Sequence, residues 1–317
     1  MNKIKIFLVC MLLICSSFVM NASSVSEKTE KNYNYLDENK SNNPSDVEYW
    51  AVIVGISDYD GISNDLPVPD VFMKKIYDVL ISDDKYDQSH VRLLLNDEAK
   101  RNNILSALDW LSTVSDSNDV VIFSYQGHGS AVEDNNGDES DGMDEGIVSW
   151  EGLDGFITDD ELDSKFDKIS CDGMFLIFHS CLSGGLICSP IITGLFDNRV
   201  EDYSKSFQTD IKGNNRVIVM SSMDQGLALA YPSLTNTVAN GLKGLADKNF
   251  DRSITAEEVS TYAKNHVLLK FLTLFILYPP SIISFIFAGI YAKIMHGYFP
   301  LPFPTIYDGY NGELKIK

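Results

Sequence analysis

The chain has 317 residues, 44% of them hydrophobic, enough to bury a full core and to exclude disorder throughout. Its 25 Lys and Arg against 45 Asp and Glu leave a formal net charge of -20, which repels nucleic-acid phosphates and favours divalent cations or basic substrates. Nucleic acid is therefore excluded as the main partner. In chain order, Lys3 and Lys5 precede an apolar run from Ile6 to Met20 and then Ala22 and Ser23, the order of a secretory signal over residues 1–23. An uncleaved anchor helix is the alternative, although the run is short for a full span; either way a secreted or extracytoplasmic domain is expected. Residues 24–47, rich in Asn, Ser and Glu, read as a disordered linker.

From Tyr49 to Ile56 a continuous apolar run fits a strand buried on both faces. Val71–Ile81 reads as an amphipathic helix, Val91–Leu95 as a strand, Arg101–Val114 as a helix and Val120–Tyr125 as a third strand. Met174–Phe178 and Arg216–Met220 add two more. Strands alternating with helices imply an α/β fold, a mostly parallel central sheet with helices on both faces. Ligands of such sheets bind outside the carboxyl ends of the strands. The segments Gln126–Ser130 and His179–Gly185 both follow strands at that edge, so the fold brings them to one rim.

After the signal only Cys171, Cys181 and Cys188 remain, too few for a stapled scaffold, so a free functional thiol is expected. A Cys171–Cys188 bridge, or three buried small hydrophobes, is the alternative. A thiol is nucleophilic as thiolate, and a neighbouring imidazole lowers its pKa and returns a proton to the leaving amine. His128 and Cys181 carry that chemistry and stand 53 residues apart, close to the caspase-type spacing of about 50. Glycines at 127, 129, 184 and 185 are expected to leave room for a substrate backbone and an oxyanion.

Two acidic loops follow the EF-hand spacing of oxygen-bearing side chains. The first runs from Asp134 through Asn136 and Asp138 to Glu145, with Glu139 at the usual glycine position; the second has Asp247, Asn249, Asp251, Ser253 and Glu258, with Arg252 there. Solvated turn clusters are the competing reading. Later, Val267–Ile290 is apolar with Lys270 as its single charge, and Pro279-Pro280 would break a helix at its centre. Residues 267–298 are therefore expected to form a hydrophobic insertion, a hairpin dipped into a membrane surface with Tyr278, Tyr291 and Tyr298 at the interface. A buried core or dimer hairpin is the alternative.

The residues Tyr49 to Tyr59 with Asp70, the Ser124–Ser130 segment, the Asp141–Val148 stretch and Ser180–Gly185 resemble the catalytic subunit of metacaspases and their prokaryotic relatives, over about residues 48 to 265 and again at Ile306–Leu314. The resemblance implies a caspase-hemoglobinase fold, a peptidase domain over 48–266 that residues 299–317 rejoin, and cysteine endopeptidase activity on protein or peptide substrates. It implies His128 as general base, Cys181 as nucleophile and Gly129 as an oxyanion-hole amide. It further implies a substrate pocket for Arg or Lys, with Asp70 matching one of its acids. The position two before the nucleophile, typically acidic in the family, is His179, which when protonated could instead accept an acidic side chain. Calcium is implied at Asp144, Asp159 and Asp160, while a further ligand position is Cys188, a soft ligand that calcium avoids. A catalytically silent calcium-binding module displayed at the membrane and a legumain- or gingipain-like peptidase of other specificity remain open at this point.

Overall fold

Strand β1 (Tyr49–Gly55) buries Ala51 and Ile53 toward one side and Trp50, Val52 and Val54 toward the other. A strand apolar on both faces needs cover on both. The structure, a computed structural model, describes residues 46–61, 64–133, 137, 143–182, 207, 211–221, 233–277 and 304–317, with 143, 181, 182 and 271–277 described by backbone alone. In it β1 is an inner strand of a sheet ordered β2 (Val91–Leu95), β1, β3 (Val120–Glu133), β6 (Gly173–Leu182), β7 (Arg216–Met220) and β8 (Thr305–Asp308). Neighbours from β2 to β7 are parallel, and β8 is antiparallel to β7. The hairpin-like pair β4 (Met143–Val148) and β5 (Phe156–Thr158) joins through β4, which is antiparallel to the outer end of β3.

Helices α1 (Pro69–Leu80), α4 (Leu234–Asn240) and α5 (Ala256–Leu277) cover the Ile53 face through Met73, Ile76, Val238 and Val259. On the Val52 face, α2 (Arg101–Val114) and α3 (Asp159–Phe166) contribute Ile104, Leu108, Leu162 and Phe166. This is the expected α/β architecture, with helices on both faces of a mostly parallel sheet. Because both faces are apolar, side-chain alternation cannot set strand register. Asp119, 1% exposed, sets it instead: its carboxylate accepts from the Glu48 amide at 2.8 Å and the Trp50 indole at 3.0 Å, tying the start of β1 to the start of β3. Its carbonyl accepts from the Asp172 amide at 2.8 Å just before β6.

Two strands run further than their apolar cores suggest. Gln126–Ser130 and His179–Leu182, expected as loops beyond strand ends, are strand residues of β3 and β6. The cause is a change of partner. β1 stops at Gly55 opposite Gln126, and from Gly129 onward β4 takes over, so the β3 backbone stays hydrogen-bonded beyond the apolar segment.

The boundary expected between 266 and 267 falls inside α5, which continues to Leu277 with Val267 buried and Leu269 exposed. Among the described residues no helix is long and apolar enough to cross a membrane. Residues 1–23, most of the 24–47 linker and the insertion from Tyr278 on, with Tyr291 and Tyr298, lie outside the described residues. After the insertion, β8 pairs with β7, and Ile316 donates its amide to the Ile254 carbonyl at 2.9 Å.

Candidate active site

His128 and Cys181 are register partners in neighbouring parallel strands, β3 and β6. Adjacent strands lie about 4.8 Å apart, so their backbones stand within side-chain reach of one another at the carboxyl end of the sheet. Gly129 occupies the next position of β3, between Ile147 of β4 and Leu182 of β6.

The His128 ring is 6% exposed, and its Nε2 lies 2.8 Å from the Asn64 carbonyl oxygen. A carbonyl can only accept, so Nε2 carries the proton and the neutral ring keeps its lone pair on Nδ1. Burial pushes the His128 pKa below its ordinary 6.5, against the opposing pull of the Asn64 carbonyl. The ring is therefore neutral near pH 7, the form a general base requires. An acidic limb of kcat/KM below pH 6.5 is expected, because protonation on Nδ1 abolishes the base and burial postpones that protonation. A pH–rate profile checks this, and a limb lying above pH 6.5 contradicts the account.

The His128 backbone is clamped by two tyrosines. Tyr59 Oη accepts from the His128 amide at 2.7 Å, and Tyr125 Oη donates to the His128 carbonyl at 2.6 Å and lies 2.8 Å from the Val148 carbonyl. Gly127 makes the clamp possible. A Cβ there would sit within 2.5 Å of the Tyr59 hydroxyl and closer still to that of Tyr125. The space beside Gly127, expected for a substrate backbone, is thus taken by these hydroxyls.

His179 pairs in register with Gln126, one strand repeat before the His128–Cys181 pair. It is 8% exposed, with Nδ1 3.4 Å from the hydroxyls of Ser233 and Thr235 at the start of α4. Burial pushes its pKa down to about 4. His179 is consequently uncharged near neutrality, which removes the expected role of a protonated acceptor for acidic side chains. Asp70, in the first turn of α1, accepts at Oδ1 from the Ser57 hydroxyl at 2.6 Å and from the Val71 amide at 2.8 Å.

Residues 50–190 match the family model described as metacaspase, peptidase C14 domain. The chain belongs to the metacaspase family. It is 31% identical over 252 residues to Metacaspase-1 of Candida albicans, covering 74% of this chain and 51% of that protein. It is also 31% identical over 230 residues to Metacaspase-1 of Lodderomyces elongisporus, covering 68% and 48%. The chain thus spans about half the length of these curated relatives. A solved structure of pro-sf-caspase-1 superposes with a TM-score of 0.48 at 13% identity, over 93% of this chain and 98% of that one.

Seen as a metacaspase, the chain has further residues to place. Asp144, 8% exposed, and Asp159, 0% exposed, are brought near one another because Gly146 of β4 pairs with Thr158 of β5; Asp160 follows at the start of α3. These hard oxygen donors have the chemistry calcium prefers, yet among the described residues no three acidic, histidine or cysteine side chains converge as metal ligands. Asp134, Asn136 and Asp138, together with Cys188, Gly184 and Gly185, lie outside the described residues.

In the second acidic loop, Asp247 Oδ2 accepts from the Arg252 amide at 3.1 Å, Asn249 Oδ1 from the Asp251 amide at 2.9 Å, and Glu258 Oε1 from the Lys248 amide at 3.3 Å. Arg252 adopts φ 67° at the position where glycine is usual, so the tight turn forms without one.

Cys171 is a free thiol, so the Cys171–Cys188 bridge is not formed. Burial pushes its pKa up to about 12, which leaves it protonated and inert. The functional groups that sequence reasoning missed are the Asn64 carbonyl, the Tyr59–Tyr125 clamp and the Ser233–Thr235 pair. The two tyrosines and the two hydroxyl residues had side chains that could be read but no spacing that tied them to the site, and the Asn64 carbonyl gave no signal, since any residue can supply a carbonyl.

Proposed function

We propose that this chain is a cysteine endopeptidase in which Cys181 is the nucleophile and His128 the general base. The observation that carries the reading is the register of β3 against β6, which sets these two residues opposite each other at the sheet's carboxyl edge. His128 Nδ1 takes the Cys181 thiol proton as sulfur attacks the scissile carbonyl carbon. The resulting oxyanion needs an amide donor, for which Gly129 is the nearest candidate in β3. Collapse breaks the C–N bond, and the proton held on Nδ1 passes to the leaving amine. Water, deprotonated in turn by His128, then hydrolyses the thioester and regenerates the thiol. Throughout, the Nε2–H bond to the Asn64 carbonyl holds the ring's tautomer.

Cleavage after Arg or Lys, the preference the family resemblance implies, has Asp70 as its support. That carboxylate already accepts from Ser57 and Val71, and His179 adds no charge, so a basic side chain finds a weak grip. The apolar N-terminal run supports an extracytoplasmic location.

We also propose calcium stimulation, supported by the buried carboxylates Asp144 and Asp159 beside β4, the strand that extends β3 past His128. A bound cation would offset their mutual repulsion and steady that strand. The test is to incubate the full chain with a peptide library in chelator and in calcium up to the millimolar range of weak extracellular sites, alongside Asp159→Ala. Calcium should raise turnover of the parent chain and not of the variant; equal turnover in chelator and calcium rejects the stimulation. Absence of any cleavage under both conditions rejects the peptidase.

A further inference from the structure

Charge is unevenly laid out along this chain. The formal net charge is -20, yet from Val259 to Tyr307 the sequence has no Asp or Glu, and its charged residues there are Lys264, Lys270 and Lys293. Helix α5 carries the first part of this acid-free stretch into the helical layer that it forms with α1, α4 and the turn Gly241–Leu245 after α4.

Three lysines from separate elements gather in that layer: Lys75 of α1, Lys243 of the turn and Lys270 of α5. Lys75 Nζ lies 5.0 Å over the Phe72 ring and donates to Asn236 Oδ1 of α4 at 3.1 Å, which holds its ammonium at the seam between the two helices. Asn236 is neutral, so this bond leaves the charge in place. Burial lowers the Lys75 pKa, and the Lys243 charge lowers it further; burial does the same to Lys270, with the Lys75 charge adding to it. The three ammonium groups thus lie within electrostatic range of one another. Asp78, one turn after Lys75, is taken by Lys74 at 2.7 Å. Apolar side chains stand exposed beside the lysines. Leu245, two residues after Lys243, is 64% exposed, and Leu269, next to Lys270, is 59% exposed. Val71, one turn before Lys75 on the same side of α1, is exposed as well.

Gathering like charges costs stability, and a surface that only had to stay in water would intersperse acids, which this chain has in plenty. Ammonium groups beside exposed leucines match an anionic bilayer surface, where headgroup phosphates attract the first and the acyl boundary takes the second. The sequence also runs straight from Lys270 into the apolar stretch that ends at Ile290. One surface must therefore accept basic and strongly apolar groups together. A phospholipid surface offers both, whereas an acidic protein segment answers the lysines alone. We infer that the outer surface of the layer of α1, α4 and α5, through Lys75, Lys243 and Lys270 with Leu245 and Leu269, docks on anionic phospholipid. His128 stands at the carboxyl edge of the sheet and not on the face under this layer, so docking leaves that edge open.

The test incubates the full chain with vesicles of phosphatidylcholine alone or mixed with phosphatidylglycerol and reads binding by flotation. Chelator is present so that calcium does not bridge carboxylates to lipid. Binding to the anionic vesicles should exceed binding to the neutral ones by about 10²-fold, from about five-fold for each of the three lysines, and should weaken as salt is raised. Lys75→Gln/Lys243→Gln/Lys270→Gln should bring the two vesicle types level, whereas Lys75→Arg/Lys243→Arg/Lys270→Arg, which keeps the charges, should retain the preference. In the parent chain, amine acetylation read by mass spectrometry should find the three lysines protected by anionic vesicles. Lys100 and Lys168, beside α2 and α3 on the other side of the sheet, should stay reactive. Equal binding to both vesicle types, or to neither, overturns the inference. So does an anionic preference that survives in a triple Gln protein whose melting temperature is near the parent's. Protection of Lys243 without vesicles assigns the surface to an acidic protein segment and overturns it as well. The acetylation pattern of the parent chain needs no variant, so a triple Gln protein that fails to fold does not shield the inference.

Discussion

Cys181→Ala and His128→Ala each lower peptide turnover by at least about 10³-fold, since nucleophile and base act as one unit and losing either stops the same step. The two losses should not add: the double variant should be about as inactive as either single one, which separates loss of chemistry from loss of stability. Cys181→Ala removes only a sulfur atom, so its melting temperature should stay close to the parent's. His128→Ala also loses the ring that packs 4.8 Å from Tyr59, but its backbone stays held by the two tyrosine hydroxyls. Thermal melts run beside the assay check both statements. Appreciable turnover by Cys181→Ala would leave the catalytic assignment without its nucleophile, because Cys171, the thiol among the described side chains, is half-buried and held protonated.

Gly127→Ala should cost about 10²-fold in kcat/KM, the penalty typical of a catalytic group displaced by about 1 Å. The added methyl meets the Tyr59 and Tyr125 hydroxyls at distances no real contact tolerates, and both belong to rings locked in the core at 2% and 0% exposure. They cannot swing aside without releasing the His128 amide and carbonyl, so His128 must shift relative to Cys181. Stability should fall as well, because a buried amide left without its acceptor costs roughly 1–3 kcal/mol. The measurement is kcat/KM with a melting curve for Gly127→Ala and for Tyr59→Phe/Gly127→Ala. Removing one of the two clashing oxygens should restore part of the activity. Full activity in Gly127→Ala would mean that the clamp does not position the histidine.

Much of the central sheet is legible in the sequence because its signal is local. The apolar runs at Tyr49–Gly55, Val91–Leu95 and Arg216–Met220 are continuous, and the helix Arg101–Val114 has clear apolar periodicity, so burial on one or both faces specifies each element by itself. The residue types at 128 and 181 likewise announce thiol–imidazole chemistry. The outer half of β3 carries no such signal. Gln126–Ser130 is polar and glycine-rich, and it is strand because β6 stays paired with it through Gly129 on one side while, on the other, β4 replaces β1 from Gly129 onward, with Ile147 opposite Gly129.

The sequence by itself determined which segments seek burial, the parallel α/β class, and the presence of one candidate nucleophile with one candidate base. Tertiary structure alone decided the rest. Register between β3 and β6 is set by contacts such as the Asp119 carbonyl with the Asp172 amide, as that between β1 and β3 is by the Asp119 carboxylate with Glu48 and Trp50, all made between residues far apart in the chain, and it is register that puts His128 opposite Cys181. The tautomer of His128 is decided by the backbone carbonyl of Asn64, a group identical in every residue and so invisible to composition or pattern. His179 shows the same division: its sequence position suggested a titrating side chain, but burial against Ser233 and Thr235 keeps it neutral, because desolvation of a charge depends on what surrounds it in space and not on its neighbours along the chain.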